Sequence, residues 1–209
     1  MNANIRGHLR RWEVALLIGT ALFLIAGALA LGTQDALAEK VVRLHVLANS
    51  DSEADQALKL KVRDTVLDRA EALLAQAGDR EEAEALLRGR LLEFEELAET
   101  VVAQAGYDYP VRVELADTAF PTKEYDGFQL PAGEYLALRV LIGQAAGQNW
   151  WCVVYPPLCT AAAAEVPAAA FQAGLSRDQV GLITEENPGY VLKFKAVEWW
   201  ETLRARLAD

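Results

Sequence analysis

The sequence has few of the residues on which metal and redox chemistry depend. Only two cysteines and two histidines occur among 209 residues, and His8 lies in the N-terminal segment. Because protein zinc sites draw most of their ligands from Cys and His, the composition predicts no metal site and no metal cofactor. Cys152 and Cys159 have six residues between them, which excludes a C-x-x-C redox pair.

Basic residues are also scarce, and they form no cluster. The chain carries 20 Lys and Arg against 30 Asp and Glu, for a net charge of −10. Nucleic-acid affinity comes mainly from cations that neutralise phosphates, so we expect no nucleic-acid partner. The same acidity disfavours binding to an anionic membrane surface.

The N-terminal segment has the pattern of an export signal. Arg6, Arg10 and Arg11 precede an almost uncharged run of 19 residues, Val14–Gly32. After this run comes a small-x-small sequence, Ala-Leu-Ala at residues 36–38. A basic start, an apolar core and an A-x-A site predict a secretory signal. The length of the run is also close to the roughly 20 residues that span a bilayer, so one alternative is a signal anchor that is not cleaved. A second alternative is a helix buried in the core of the protein. We assign residues 1–38 to this segment and residues 39–209 to an extracytoplasmic domain, which would meet the membrane only through the segment.

A strand followed by a helix begins the domain. Val42, Leu44 and Val46 alternate with Arg43 and His45, which predicts a strand over about residues 41–48. Either Ser50 or Ser52 is expected to cap the helix that follows. That helix has apolar residues at three- and four-residue intervals up to Ala77, and we expect it to end at Gly78. Asp55 and Lys59 are expected to form an ion pair beside this apolar stripe.

The later patterns predict an α+β fold. A second long helix is expected over residues 80–105, antiparallel to the first, although Gly89 weakens its middle. Period-two alternation predicts strands over residues 111–115, 134–142 and 150–155, the last of them central, with a long loop over residues 120–133. Residues 161–170 fit either a loose helix or a surface loop, and residues 190–194 and 197–207 predict a final strand and helix. We therefore expect a mostly antiparallel sheet packed against two long antiparallel helices, with a C-terminal helix.

A search for catalytic groups finds little. His45 is the only histidine in residues 39–209, so any histidine-dependent mechanism would need it. A pair of His45 with Cys152 or Cys159 would be a possible nucleophile, but neither cysteine precedes a helix in a recognisable nucleophile motif. The sequences G-x-S-x-G and H-E-x-x-H do not occur. Outside the cytoplasm Cys152 and Cys159 could form a local disulfide, and two buried thiols are the alternative.

Six segments of the domain resemble the stage II sporulation protein R family, exported signalling proteins of endospore-forming bacteria. The segments span nearly the whole domain in the expected order. They are R-L-H-V-L-A-N-S-D-S at 43–52, D-Q-A-L-K-L-K-V-R-D at 55–64, F-P-T-K at 120–123, L-P-A-G-E-Y at 130–135, N-W-W-C-V-V-Y-P-P-L-C at 149–159 and V-L-K-F-K-A-V-E-W-W-E at 191–201.

The resemblance implies a signal without catalytic residues or cofactors. Proteins of this family are exported into the space between the forespore and mother-cell membranes, where they activate a membrane-embedded aspartic peptidase that processes the sigma-E precursor. The competing hypothesis is an extracytoplasmic hydrolase that acts on the cell envelope. We hypothesise a partner-contact surface on the first strand and its exit, although the same residues would also serve as framework of the fold. Its residues are Arg43, His45, Asn49 and Asp51, with Trp151 or Pro156 nearby.

Overall fold

The computed structural model describes residues 12–21, 36–162 and 164–184. Residues 12–21 are helical, and within the described ranges no helix has both the length and the apolar character needed to cross a bilayer. Residues 1–11 and 22–35 of the predicted export segment lie outside these ranges. The predicted strand at 190–194 and the predicted helix at 197–207 also lie outside them.

The domain is built on a mixed sheet of four strands, which confirms the α+β class. Its strands stand in the order β2-β5-β1-β6. The β1–β5 pairing is parallel, while the β1–β6 and β2–β5 pairings are antiparallel. A separate hairpin consists of β3 and β4. The strands are β1 (Val42–Leu47), β2 (Val111–Phe120), β3 (Lys123–Tyr125), β4 (Phe128–Leu130), β5 (Gly133–Ile142) and β6 (Asn149–Tyr155).

One long helix packs along the sheet with the stripe that the sequence predicts. It begins after Ser52, whose side chain accepts a hydrogen bond from the Asp55 N–H group, and it ends at Leu74, before the predicted stop at Gly78. The described helices are α1 (Glu53–Leu74), α2 (Arg80–Arg88), α3 (Leu91–Gln104), α4 (Val166–Gln172) and α5 (Arg177–Ile183). The apolar stripe of α1 is buried together with the inward face of β1; its members are Leu58, Val62, Val66, Ala70 and Leu73.

The second long helix is not a single helix. It divides into α2 and α3 at Gly89 and Arg90, and Arg90 has a non-helical φ of −130°. Gly lowers helix propensity by up to about 1 kcal/mol relative to Ala, so the chain bends most easily there. The break gives two short helices, of which α2 contacts β1 and α3 contacts β2. The prediction of two long antiparallel helices is therefore wrong for the second helix.

Two further expectations differ from the structure. Within the described residues β6 is an outer strand of the sheet rather than a central one. Residues 152–155 are nevertheless buried and α1 contacts the strand, so the apolar pattern did not require a central position. The segment expected as a loop instead extends β2 to Phe120 and forms the β3–β4 hairpin. The Ala-rich stretch contributes to α4.

The connection from β5 to β6 crosses the end of β1, because β5 and β6 lie on opposite sides of that strand. We call residues 143–148 the crossover loop. Its Gly147 N–H group donates to the Ala48 carbonyl oxygen at 3.0 Å. A Cβ atom at Gly147 would lie 2.2 Å from the Ser50 carbonyl oxygen, so the backbones meet too closely for a larger residue.

We expect Gly147→Ala to lower the free energy of unfolding by about 1–3 kcal/mol, because the added Cβ forces the crossover loop away from β1. Gly181→Ala, in α5, is the matched control. Nothing lies within 4 Å of its added Cβ, and the change should leave stability equal or slightly higher. Chemical denaturation of the two variants measures the difference. Equal midpoints would contradict the close approach at Gly147.

Candidate functional site

The sheet face that bears Arg43 and His45 holds a row of polar and aromatic side chains. His45 pairs in register with Arg139 of β5 on one side and with Trp151 of β6 on the other. Arg139 in turn pairs with Glu114 of β2. The row Glu114–Arg139–His45–Trp151 therefore runs across four adjacent strands on one side of the sheet. We call this side, together with Arg43 and the β3–β4 hairpin above it, the polar face.

Arg43 is the most deeply buried cation of the polar face. Its side chain has no exposed surface, and its guanidinium carbon lies 3.9 Å from the centroid of the Phe120 ring and 4.9 Å from that of Tyr135. Nη2 donates a hydrogen bond to the Tyr125 hydroxyl oxygen at 2.5 Å. Burial lowers the pKa of Arg43. A desolvated cation–π contact contributes about 2 kcal/mol, so the aromatic rings replace part of the lost hydration.

His45 lies in the middle of the row and is 7% exposed. Its Nε2 atom lies 2.7 Å from the Asn149 side-chain oxygen, and its ring lies 5.7 Å from Phe120 and 6.0 Å from Trp151. Burial lowers the pKa of His45, and the hydrogen bond to Asn149 opposes that shift. The ring is therefore neutral at pH 7, where it serves as a hydrogen-bonding group rather than as a charge.

Several donors of the polar face are buried without a hydrogen-bond partner among the described residues. The atoms are Arg43 Nε and Nη1, Arg139 Nε and Trp151 Nε1; His45 Nδ1 is likewise unpartnered. Each such group costs about 1–3 kcal/mol relative to a satisfied one. Arg139 does have one ion pair, from Nη1 to Glu114 Oε1 at 2.5 Å. Lys123 places its ammonium 4.3 Å above the Trp151 ring. The face therefore has more donors than acceptors.

Asn49 and Asp51, two of the hypothesised contact residues, hold the crossover loop. The Asn49 side-chain oxygen accepts the Gln144 N–H group at 3.0 Å, and Asp51 accepts that of Gln148 at 2.7 Å. Both residues thus have structural partners within the domain. They lie beyond the exit of β1, separate from the row that contains His45.

The same network surrounds two buried charges at the start of α1. The Asp55 carboxylate accepts hydrogen bonds from Ser50 Oγ at 2.6 Å and from Asn49 Nδ2 at 2.9 Å, and these bonds lower its pKa. Lys59 donates instead to the Gln148 carbonyl oxygen at 2.9 Å. In place of the expected ion pair between Asp55 and Lys59, Asp55 binds side chains at the exit of β1 and Lys59 links α1 to the crossover loop.

The remaining sequence-predicted residues lie at the end of β6. Cys152 and Cys159 are joined as a disulfide, with their Cα atoms 6.0 Å apart. Pro156 follows Tyr155 through a cis peptide bond at the end of the strand. Of the two hypothesised contact residues in this part of the chain, Trp151 lies in the row beside His45 and Pro156 does not. The structure thus brings together Arg43, His45 and Trp151, and it leaves Asn49, Asp51 and Pro156 apart from them.

The arrangement around His45 offers hydrogen bonding but no nucleophile. Its ring neighbours are Phe120 and Trp151, and its bonded partner is an amide. Both cysteines are in the disulfide. Among residues 12–21, 36–162 and 164–184, no cluster of three His, Cys, Asp or Glu side chains could hold a metal ion.

Sequence reasoning missed four residues that build this surface: Phe120, Lys123, Arg139 and Asn149. They come from three segments far apart in the chain, and only strand pairing and the hairpin place them beside His45. The motif F-P-T-K contains Phe120 and Lys123, and the motif at 149–159 begins with Asn149, so the resemblance included a signal for three of the four. The alternation of Arg139 with buried Leu138 and Val140 was a further signal that β5 has a polar side.

The fold and this face define an α+β domain with a cation-rich aromatic surface on one side of a mixed sheet. The model of the family described as stage II sporulation protein R matches residues 38–165, and the chain belongs to that family. Stage II sporulation protein R of Bacillus subtilis (strain 168) is 38% identical over 121 residues. That alignment covers 58% of this chain and 54% of the Bacillus protein, so the match spans about half of that relative. No solved structure matches the chain.

The family match contains every residue of the hypothesised contact surface. It also contains five of the six motif segments on which the resemblance depended; the sixth, at residues 191–201, lies beyond it and beyond the described ranges. The polar face and the crossover loop are therefore both parts of the family's matched region.

We expect Asn49→Ala to lower the free energy of unfolding by about 1–3 kcal/mol, because it removes one donor from the buried Asp55 carboxylate and leaves the Gln144 N–H group unpaired. Asp68→Ala, at an exposed position on α1, is the control and should change stability little. Denaturant titration compares them. If Asn49→Ala proved as stable as the wild type, Asn49 would have no framework role.

The lowered pKa of His45 predicts how stability depends on pH. The unfolded chain protonates this histidine near pH 6.5, whereas the buried ring resists protonation, so the unfolded state gains protons first as the pH falls. Stability should therefore decrease below about pH 6.5 until the folded ring is also protonated. In His45→Gln, unfolding free energies measured between about pH 5.5 and 7.5 should vary less with pH. If the unfolding free energy changed equally with pH in both proteins, His45 would not be the source of the pH dependence.

Proposed function

We propose that this protein is an exported signal that activates a membrane-embedded aspartic peptidase, which in turn processes the sigma-E precursor during endospore formation. Membership of the stage II sporulation protein R family supports a role in sporulation. The 38% identity to the Bacillus subtilis protein that bears the family's name supports the same role. The space between the forespore and mother-cell membranes is the location that fits this function.

The single structural observation that carries the proposal is the polar face. It concentrates Arg43, Arg139 and Lys123 on one side of the sheet of an acidic protein. Four aromatic residues surround these cations: Phe120, Tyr125, Tyr135 and Trp151. Surfaces of this composition recognise partners, because Arg and aromatic side chains dominate binding energies at protein interfaces. The groups around His45 do not form an acid–base–nucleophile set, so binding explains the site better than turnover does.

Activation by binding has a thermodynamic requirement. A ligand shifts a receptor toward its active state only by as much as it binds that state better than the idle one. A rigid surface meets this requirement well, because little conformational freedom is lost when it binds. The buried Arg43, the paired strands and the crossover loop hold the polar face in one arrangement.

Deletion of the gene in its sporulating host should leave the sigma-E precursor uncleaved, and the full-length wild-type gene should restore cleavage. Arg88→Ala is a suitable control, since Arg88 pairs only with Glu84 on the surface of α2 among the described residues. It should restore cleavage as well as the wild type does. Immunoblots of the precursor during sporulation measure the effect.

Two results would contradict the proposed function. One is normal precursor cleavage in the deletion strain. The other is turnover of an envelope substrate by the purified full-length protein, with loss of that turnover in a folded His45→Ala variant.

A further inference from the structure

We propose that the polar face binds a carboxylate-bearing, acidic peptide segment of the partner, and that Lys123, Arg139 and His45 recognise the carboxylate. The segment belongs to the receptor of the proposed function, on which this inference rests. The hypothesis names the chemistry of the contact, which family membership does not provide.

The first support is the set of unsatisfied donors. Arg139 Nε and Trp151 Nε1 are buried N–H groups with no acceptor in the described part of the chain, and both lie in the row that contains His45. Buried donors in folded proteins nearly always have a partner, so a group of them in one row indicates a missing acceptor. A carboxylate supplies two oxygen atoms and about four acceptor sites, and it carries no donor that would compete.

The second support is the local balance of charge. The chain has a net charge of −10, yet this face brings together the charged side chains of Arg43, Arg139 and Lys123. Its carboxylates are Glu114, which pairs with Arg139 Nη1, and the exposed hairpin residues Glu124 and Asp126, of which Glu124 contacts Gln129. Arg43 and Lys123 have no carboxylate partner among the described residues, so an anion is attracted to them rather than to the face as a whole. A long polyanion would meet the acidic remainder of the protein, which favours an isolated carboxylate in a peptide over a nucleic acid.

The third support is the way the donors are covered. Arg43 has no exposed surface, so it contributes positive potential but does not touch a ligand. Lys123 is half-buried on the short strand β3, where its ammonium lies over the Trp151 ring without an ion pair among the described residues. Lysine side chains change rotamer readily. A carboxylate that pairs with Lys123 would draw its ammonium off the indole and approach Trp151 Nε1, whereas Arg139 Nε lies on the other side of His45 and would meet a second acceptor of the same segment.

His45 adds a donor to the site when its Nδ1 atom carries a proton. Whichever way the Asn149 amide is turned, one ring nitrogen of His45 faces that amide and Nδ1 remains without a partner. A carboxylate beside Nδ1 stabilises the tautomer or the protonated ring that donates to it. An ammonium or an amide donor at the same place would instead oppose the neighbouring guanidinium N–H groups.

The test compares two charge reversals of equal size in the full-length protein. Lys123→Glu changes the polar face, and Lys61→Glu makes the same change at an exposed position on α1. In the sporulating host, Lys123→Glu should reduce sigma-E precursor cleavage at least tenfold at equal protein level, while Lys61→Glu should stay within twofold of the wild type. Lys123→Arg, which keeps the cation, should retain cleavage.

A direct binding measurement separates this inference from the proposed function. The purified full-length protein is titrated with acetylated tetraglutamate and with acetylated tetraglutamine. The change in tryptophan fluorescence, to which Trp151 contributes, reports binding. The glutamate peptide should bind at least tenfold more tightly than the glutamine peptide to the wild type and to Lys61→Glu, and not to Lys123→Glu. Equal binding of both peptides, or equally strong competition by inorganic phosphate, would overturn the carboxylate assignment.

The two failures are distinguishable in the host. If gene deletion leaves precursor cleavage normal, the proposed function fails. If deletion abolishes cleavage but Lys123→Glu restores it as well as the wild type does, only the carboxylate site fails. Suppressors of Lys123→Glu should change Asp or Glu of the partner to Lys or Arg; suppressors confined to apolar positions would overturn the inference.

Discussion

The crossing of the chain over the end of β1 is the constraint on which the rest of the domain depends. β5 and β6 both pair with β1, so the six-residue loop between them must pass across the exit of that strand, where the chain also turns into α1. Asn49 and Asp51 bind this loop through side-chain hydrogen bonds, Asp55 holds the Asn49 side chain, and Gly147 lets the backbones meet. One polar network thus fixes the sheet order, the start of α1 and the position of β6.

The polar face follows from that order. Because β1 lies between β5 and β6, Arg139 and Trp151 become the cross-strand neighbours of His45. The hairpin then covers Arg43 with aromatic rings, and a cation in the interior lies against π-systems and a phenol rather than a carboxylate. The cost of burying these donors is hard to explain by stability alone. Partner binding at the polar face would explain this cost in a protein of the stage II sporulation protein R family, because the partner would supply the missing acceptors.

A binding role also fits how the two polar clusters differ. The cluster of Asn49, Asp51 and Asp55 is satisfied within the domain, with each carboxylate paired to a donor. The row around His45 is not satisfied, and it has an excess of N–H groups. Internal satisfaction is typical of framework, whereas leftover hydrogen-bonding capacity on a rigid sheet is typical of a recognition surface. The sequence hypothesis had joined both clusters into one surface.

The sequence by itself determined the first strand and the first helix, because the alternation in β1, the Ser52 cap and the apolar stripe of α1 are all local patterns. The sequence motifs were also sufficient to identify the family. The division of the second helix was only weakly signalled by Gly89, because helix propensity is a small term that packing overrides. The tertiary structure alone decided that Asp55 binds Asn49 and Ser50 while Lys59 binds the crossover loop. It also decided that Arg139 lies beside His45 and that Lys123 lies above Trp151. Those neighbours depend on strand order and register, which join residues far apart in the chain and leave no period in the sequence.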